Sequence, residues 1–534
     1  MDRRARRLPG ALLWVAVAAV PATFLAIFFV WPACALVARG FHNGTSWTLD
    51  GLLAVGRSER TWRALWFTLQ TASVATLLCL ATGVVGAYVL YRLRFPGQQV
   101  LRGLITVPFV LPTVVVGIAF SGPEPVVGIV LAMVFFNYSV VVRTVGALWA
   151  RLDPRQTQAA AALGADGWRT AWTVTLPALR PAIISSAALV FLFCASGFGI
   201  VMTLGRGAHH TIETEIWFQT TQVLNLSAAA ALSIAQVIVV TLCLWLTSAW
   251  QRRSQAALRL LPETTSTSRL DWGRDWAPVL VTVAIIVGLL VVPMAGLLVR
   301  SLRDAGDWTL DGYRSLFAGA LLEATWTSLR TAVAAAAIAL TLGVLVALVV
   351  SRRPASAPGR RALATVEGAF MLPLGVSAVT VGFGYLITLN RPPLDLRSSI
   401  VLVPIAQAVV ALPLVVRTLL PTLRAIDPRQ LQAAAMLGAS PARALATIEL
   451  PALGRGIGLA LGFALATSLG EFGATSFLAR PDRPTLPVLI FRLFSRPGGE
   501  NHQMALAASV WLAVLTATVM VVAERARPRE VDSW

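Results

Sequence analysis

Few side chains in this sequence could do chemistry, and they stand far apart along the chain. Glu471 lies inside a long apolar stretch. A carboxylate buried among apolar groups is costly and usually faces a cavity or a partner, so Glu471 is a candidate pathway or gate residue. The alternative is that Glu471 lies where an apolar segment meets water. It is the one acidic residue that the pattern places well inside such a segment.

The segment 209–215 reads His-His-Thr-Ile-Glu-Thr-Glu and offers imidazole and carboxylate groups to a metal. Its adjacent His residues lack the helical i,i+4 spacing of a metal-binding pair, which favours a plain loop over a metal-binding one. The four cysteines include no Cys-x-x-Cys pair, so neither a disulfide framework nor a thiolate site is indicated. We predict no metal site and no cofactor.

The composition also argues against an enzyme. ATP hydrolysis by a Gly-rich phosphate loop needs a Lys, and all 44 basic residues of this chain are Arg. The apolar blocks contain no cluster of His, Asp and Glu that could form a catalytic site. We therefore predict a non-catalytic protein without catalytic residues, and a membrane-bound enzyme is a weak alternative. If ATP drives its function, a separate subunit must hydrolyse it.

The elements that position these residues are membrane helices. Hydrophobic residues make up 57% of the 534 residues and charged residues 13%, against about 25% charged in soluble domains. About 20 apolar residues cross a bilayer, and such blocks recur along this chain. We predict an all-α polytopic membrane protein with twelve spans, near 11–36, 64–90, 103–120, 126–148, 181–204, 226–249, 277–299, 326–350, 363–389, 398–420, 456–479 and 503–523.

The distribution of Arg predicts the orientation of these spans. An even number of spans puts both termini on one side, and the segments on that side hold 27 Arg against about 13 on the other. Positive residues prefer the cytoplasm, so we predict that both termini are cytoplasmic.

The sequence repeats itself in parallel. Trp-Thr-Leu-Asp-Gly at 47–51 recurs at 308–312, and Asp-Pro-Arg-Gln at 153–156 recurs at 427–430. We predict two six-span halves, residues 1–250 (core about 64–250) and 277–534 (core about 322–523), joined by a cytoplasmic linker at 251–276. The offset between the copies grows from 261 to 274 after Leu111-Pro112, so the first half is 13 residues shorter there. Either the hairpin at 103–148 is unusually short or one of its segments does not fully cross.

Each half carries one long cytoplasmic loop with its own pattern. In the first half, Gln-Ala-Ala-Ala-Ala-Leu-Gly at 158–164 is followed by Leu176-Pro177. In the second half, Gln-Ala-Ala-Ala-Met-Leu-Gly at 432–438 is followed by Leu450-Pro451. The spacing between the two motifs is the same in both halves. The preceding Asp-Pro starts a helix, the Ala-rich stretch favours it and the Gly ends it. A second short helix should run to the Leu-Pro pair. We call these helix–turn–helix loops the first and second elbows.

The elbows resemble the Glu-Ala-Ala loops of permeases of ATP-binding-cassette importers, with Gln in place of Glu in both copies. The resemblance implies the type I, MetI-like permease fold, an extracytoplasmic binding protein as partner, and an ATPase dimer docked on the elbows at the cytoplasmic face of a bacterial inner membrane. By resemblance the coupling residues are Gln158, Ala159, Ala160, Gly164, Leu176, Pro177, Gln432, Ala433, Ala434, Gly438, Leu450 and Pro451.

A fused double permease of this length is similar to thiamine and ferric-iron importer permeases, which makes thiamine the first substrate hypothesis and ferric iron the second. The expected mechanism is alternating access between the halves. The main alternative is a secondary, ion-coupled transporter, which can also have twelve spans in two parallel halves. That class is expected to couple through charged residues inside the membrane, of which this sequence has almost none.

Overall fold

The structure, a computed structural model, describes residues 8–41, 46–254, 267–304, 306–352, 356–391, 394–396 and 399–525. Within them nine helices are long and apolar enough to cross a membrane, and three bent helix pairs bring the total to twelve if each pair is one span. These twelve elements follow the predicted spans in order. The all-α polytopic fold class is confirmed. Residues 255–266 of the predicted linker lie outside the described residues.

The first half is built from α-helices interrupted by short π and 3-10 segments. In chain order they are Leu8–Leu25, Ala26–Val30 (π), Trp31–Gly40, Asp50–Arg57, Glu59–Ala87, Tyr88–Arg92 (π), Gln98–Leu104, Val107–Phe109 (3-10), Thr113–Ala119, Pro125–Trp149, Arg155–Ala162, Gly167–Thr170, Ala171–Thr175 (π), Leu176–Ala195, Phe198–Leu204, Ile212–Thr221 and Leu226–Ser254.

The second half follows the same order. Its helices are Trp272–Ile285, Ile286–Val291 (π), Val292–Ser301, Asp311–Arg314, Ser315–Phe317 (3-10), Gly319–Val350, Ala357–Gly375, Ala378–Thr388, Leu402–Arg424, Pro428–Met436, Pro441–Ala444, Leu445–Glu449 (π), Leu450–Gly470, Thr475–Leu478, Leu486–Phe494 and Gly499–Arg525. Three pairs of two-residue strands complete the described structure: Leu93–Arg94 with Ser268–Arg269 in parallel, and Arg303–Asp304 with Asp307–Trp308 and Asn390–Arg391 with Leu394–Asp395 antiparallel.

Proline shapes the long helices without ending them. Four π-helical segments each end directly before an X-Pro pair, at Trp31, Leu176, Val292 and Leu450. Proline lacks an N–H and its ring clashes with the carbonyl four residues earlier, and the wider π turn accommodates both effects. The second part of each elbow therefore continues through Leu-Pro into the next span. The prediction of a separate short helix that ends at Leu-Pro is wrong.

The leading helix of the first half packs on the second half. The apolar helix Ala16–Gly40 contacts Gly319–Val350 and Ala378–Thr388. At this contact the Tyr385 hydroxyl donates a hydrogen bond to the carbonyl of Phe28 over 2.6 Å. The first span thus packs against both halves, since Trp31–Gly40 also contacts the helix Leu226–Ser254 of its own half.

The leading helix of the second half makes the reciprocal exchange. Trp272–Ser301 packs on Glu59–Ala87 of the first half. Near its end the Arg300 guanidinium donates to the carbonyls of Ile118 and Ala119 at 2.9 and 3.0 Å. These carbonyls lie at the C-terminal end of a short helix, where a positive charge is favourable. The two halves are therefore interlocked by exchanged helices.

Close helix packing at equivalent glycines repeats in both halves. A Cβ at Gly83 would lie 2.7 Å from the Cβ of Val141, and one at Gly343 would lie 2.5 Å from Cγ1 of Val415. Small residues at such crossings let membrane helices approach closely. The two contacts join the second and fourth spans of each half.

We expect the double change Gly83→Val and Gly343→Val to destabilise the protein, because overpacking a dense interior costs about 1–3 kcal/mol at each site. Thermal unfolding of the detergent-solubilised protein measures the effect. Gly288→Val is the matched control, since Gly288 is exposed and no neighbouring group lies within 4 Å of the position that a Cβ would occupy. A double variant as stable as the wild type would contradict the close packing.

Candidate functional site: two elbows and a central cavity

The two elbows have the same hydrogen-bonded geometry. The Asp153 carboxylate accepts from the N–H of Arg155 at 2.9 Å, so that it caps the helix Arg155–Ala162. Gly164 then adopts φ +82°, and the N–H of Ala165 donates to the carbonyl of Ala160 at 3.0 Å. This closure is a Schellman motif, which needs a left-handed residue at the glycine position.

The second elbow reproduces each of these features. Asp427 accepts from the N–H of Arg429 at 2.9 Å at the start of Pro428–Met436. Gly438 has φ +79°, and the N–H of Ala439 donates to the carbonyl of Ala434 at 2.9 Å. The helix starts and glycine stops predicted for the elbows are confirmed. Their role in coupling stays a prediction.

The elbow tips are apolar and uncovered within this chain. Leu163 and Leu437, at equivalent positions beside the glycines, are each 89% exposed, and Met436 is 88% exposed. Most of the predicted coupling residues are exposed as well: Gln158, Ala159, Gly164, Gln432, Ala433, Gly438, Leu450 and Pro451. Ala160, Ala434, Leu176 and Pro177 are half-buried. Two similar apolar projections at equivalent positions of the repeat suit a partner with two similar sockets.

Four predicted spans are broken, which corrects their assignment as continuous helices. The segments predicted as 103–120 and 363–389 bend by 102° and 95° within themselves. The segments predicted as 181–204 and 456–479 end as helices at Ala195 and Gly470. The shorter hairpin at 103–148 differs from its counterpart after the bend: Thr113–Ala119 is followed directly by Pro125–Trp149, whereas Ala378–Thr388 is longer and is followed by the strands Asn390–Arg391 and Leu394–Asp395 before Leu402.

The four breaks converge on a central cavity of about 280 Å³. Six phenylalanines from both halves form much of its wall: Phe109, Phe136, Phe193, Phe198, Phe463 and Phe472. Phe198 and Phe472 are equivalent in the repeat and stack face to face across the halves, with ring centroids 5.3 Å apart and an interplanar angle of 25°. Discontinuous helices that meet between repeats are typical of substrate sites in transporters.

A larger cavity of about 1190 Å³ lies on the side away from the elbows. Helix Phe198–Leu204 joins the two cavities, since Phe198 lines the central one and Val201 the larger one. Arg60 and Arg206 lie in the wall of the larger cavity. The positive charge of Arg60 is compensated, because its Nε lies 2.8 Å from a carboxylate oxygen of the buried Glu215.

Glu471 sits at the break after Leu450–Gly470 and lines the central cavity. Its two carboxylate oxygens accept hydrogen bonds from the backbone N–H groups of Ala474 and Thr475 at 2.7 and 2.9 Å. The carboxylate therefore caps the turn that follows the break, with both oxygens occupied. Glu471 thus lies in the cavity wall and caps the turn after the break. The pathway role predicted for Glu471 stays a prediction.

Sequence reasoning missed two further buried carboxylates near the cavities. Glu213 and Glu215 are each 1% exposed and belong to the helix Ile212–Thr221, so Glu471 is not the one acidic residue in the interior and their segment is not a plain loop. The side chain of Glu213 reaches the central cavity. The sequence signal for their helix was Thr-Ile-Glu at 211–213, because it aligns with Thr-Leu-Pro at 485–487 of the second half. In the second half this motif begins the helix Leu486–Phe494.

The described residues contain no group of three or more His, Cys, Asp or Glu side chains that could hold a metal ion. His209 and His210 line the larger cavity, apart from the central cavity that Glu213 reaches. Cys79 and Cys194 are buried, Cys243 is half-buried and Cys34 is exposed, and no disulfide joins any of these four.

Comparisons with known proteins agree on one class. Residues 79–260 match the family model described as binding-protein-dependent transport system inner membrane component. The chain is 28% identical over 518 residues to the thiamine transport system permease protein ThiP of Escherichia coli K12, covering 91% of this chain and 92% of that protein. It is 36% identical over 154 residues to a probable sulfate transport system permease protein of Chlorokybus atmophyticus, covering 25% and 54% of the two chains.

A solved structure titled as a bacterial ABC transporter involved in the import of the acidic polysaccharide alginate aligns over 48% of this chain and 100% of its own, with TM-score 0.42 and 16% identity.

Proposed function

We propose that this chain is a fused double permease of the ATP-binding-cassette importer type and that it carries thiamine across the inner membrane. The substrate assignment rests on the similarity to the ThiP protein, which extends over about nine-tenths of both chains. The likeness to the sulfate permease is confined to 25% of this chain, which is too little to define a pathway built from both halves. Ferric iron is the weaker candidate, since the relatives of Escherichia coli, Salmonella typhimurium and Brucella abortus that match over about nine-tenths of their length are thiamine permeases.

Two separate partners complete the proposed importer. An ATPase dimer docks on the exposed apolar tips of the two elbows, where Leu163 and Leu437 occupy identical positions. An extracytoplasmic binding protein delivers substrate at the opposite side, where the larger cavity opens. This arrangement puts the elbows in the cytoplasm, and both termini on the same side as the elbows, as the Arg distribution predicts.

The proposed mechanism is alternating access. ATP-driven closure of the ATPase dimer moves the elbows, and the first elbow continues into a long helix from Gly167 to Ala195. That helix ends at the central break, beside the stacked Phe198 and Phe472. Movement of the first elbow therefore reaches the aromatic pair through this helix, so that the pair can part on one side of the cavity.

Uptake of radiolabelled thiamine tests this function. Proteoliposomes that hold the permease with its ATPase should accumulate thiamine only when ATP and the binding protein are both present. Sulfate and ferric citrate serve as the competing substrates in parallel assays. Uptake that proceeds without ATP or ATPase, driven by an ion gradient, would contradict the proposal and favour a secondary transporter.

A further inference from the structure

The central cavity combines an aromatic wall with one carboxylate whose hydrogen-bonding capacity is only partly satisfied by the described residues. Glu213 is 1% exposed and lines this cavity. The Gln236 amide donates to its Oε1. Within the described part of the chain, Oε2 has no hydrogen bond of good geometry, although the Ser377 hydroxyl of the other half interacts with the carboxylate.

The three buried carboxylates near the two cavities differ in how their charge is satisfied. Glu471 is occupied by two backbone N–H groups. Glu215 is paired with Arg60 and accepts from the Gln219 amide at 2.8 Å. Glu213 alone among these three has neither a cation nor a backbone donor within bonding distance among the residues that the structure describes. A buried carboxylate without a counter-charge is costly, and a cation in the cavity would remove that cost.

The helix that begins beside Glu213 favours negative charge at this position. Ser377 is the N-cap of the eleven-residue helix Ala378–Thr388, and its hydroxyl accepts from the N–H of Val379 at 3.1 Å. The positive end of this helix therefore lies on the cavity wall beside Glu213. This field would also favour a free anion in the cavity, so the anion is the competing occupant.

The aromatic wall favours the cation. Ring faces carry negative electrostatic potential and attract ammonium and other organic cations, and aromatic cages are the usual receptors for quaternary nitrogen. Phe109 lies 5.7 Å from Phe136 and 6.1 Å from Phe193 between ring centroids. A cavity of about 280 Å³ is near the lower end of the range of about 300–1,000 Å³ for small-molecule pockets.

We propose that the central cavity is a transit site for an aromatic organic cation, with Glu213 as its counter-charge and the phenylalanines around it as its walls. The proposal rests on the proposed function, because thiamine carries a quaternary thiazolium nitrogen. It assigns the charge recognition to a residue of the first half alone, since the equivalent position in the second half is Pro487.

Equilibrium binding to the permease–ATPase complex in nanodiscs, without the binding protein, tests this site. The probes are thiamine, its neutral thiophene isostere, 3-benzylthiazolium and sulfate. Glu213→Gln keeps the size and a hydrogen-bonding group and removes the charge. We expect it to weaken binding of both thiazolium cations by about tenfold or more, as for the loss of a desolvated ionic contact, and to leave the neutral isostere within about twofold.

Glu215→Gln is the matched control, because it removes another buried carboxylate from the same helix whose charge is already paired with Arg60. It should keep the preference for thiamine over the neutral isostere. An equal loss for cation and isostere in Glu213→Gln, no loss for either, or tighter binding of sulfate than of thiamine in the wild type would each overturn the proposal.

The same experiment separates this inference from the proposed function. If the wild type binds 3-benzylthiazolium in a Glu213-dependent way but proteoliposomes do not take up thiamine, the cation site stands and the substrate is wrong. If thiamine is taken up and Glu213→Gln changes neither binding nor uptake, the function stands and the cation site is wrong.

Discussion

Replacing Leu163 and Leu437 together by Asp is expected to abolish ATP-driven uptake while the permease stays folded. Both side chains are 89% exposed, so the fold loses almost no contact when they change. In the proposed complex each tip is buried in an ATPase subunit, where an unpaired charge is costly. Loss of a buried interface anchor typically weakens binding by about 2 kcal/mol or more, and two tips act together.

Co-purification of the ATPase and thiamine uptake in proteoliposomes measure the effect. The expected result is loss of both, with unchanged expression and thermal unfolding of the permease. Gln156→Asp with Gln430→Asp is the matched control, since these exposed residues lie in the first turns of the same two helices, where a negative charge is favourable. An ATPase that still co-purifies with the Leu variant at wild-type yield would show that it docks elsewhere.

The single variants Leu163→Asp and Leu437→Asp add information that the double variant lacks. The elbows have the same capping and the same Schellman closure, so each single change should weaken the ATPase contact to a similar extent. A large difference between them would mean that the two sockets are used unequally despite equal geometry.

The elbows were predictable because their determinants are local. Asp before Pro, a run of Ala and a Gly at a fixed distance specify a capped helix and its left-handed stop without help from the rest of the fold. The same local pattern occurs in both halves, and the structure gives φ near +80° at Gly164 and Gly438. The long apolar spans were predictable for a similar reason, because hydrophobicity over about 20 residues is a property of the segment itself.

The central cavity was not predictable because it depends on tertiary contacts. The breaks at Ser196 and Glu471 interrupt segments that are uniformly apolar in sequence, and hydropathy does not register a change of backbone direction. The position of Glu213 needed the fold as well, since its helix turns back into the protein and brings the residue against Ser377 of the other half. The same holds for the exchange of the leading helices, which no repeat offset reveals.

The repeat comparison does explain why the cavity is asymmetric. Glu471 aligns with Gly197, and Glu213 aligns with Pro487, so each half contributes one carboxylate from a different element. Gly197 makes its break without a side-chain cap, whereas the break in the second half is held by Glu471. The carboxylate of the second half, Glu471, thus accepts backbone hydrogen bonds that stabilise the break. The carboxylate of the first half, Glu213, is the one that we propose contacts the substrate.

Glu471→Ala is therefore expected to destabilise the permease and to reduce uptake in proportion. The change leaves the N–H groups of Ala474 and Thr475 buried without their acceptor, at a cost of about 1–3 kcal/mol for each unsatisfied group. Thermal unfolding in detergent and thiamine uptake per total reconstituted protein, compared with its folded fraction, are the two measurements. Glu323→Ala, at an exposed position of the helix Gly319–Val350, is the control and should leave both unchanged.

Glu471→Gln distinguishes a cap from a charged gate. The amide oxygen of Gln can accept one of the two N–H groups, but its NH₂ group faces the other donor and cannot replace the second acceptor. A cap therefore predicts partial destabilisation, with uptake that follows the folded fraction. If Glu471 instead acts through its charge in the pathway, the Gln variant should keep wild-type thermal stability and lose uptake, and that outcome would contradict its assignment as a structural cap.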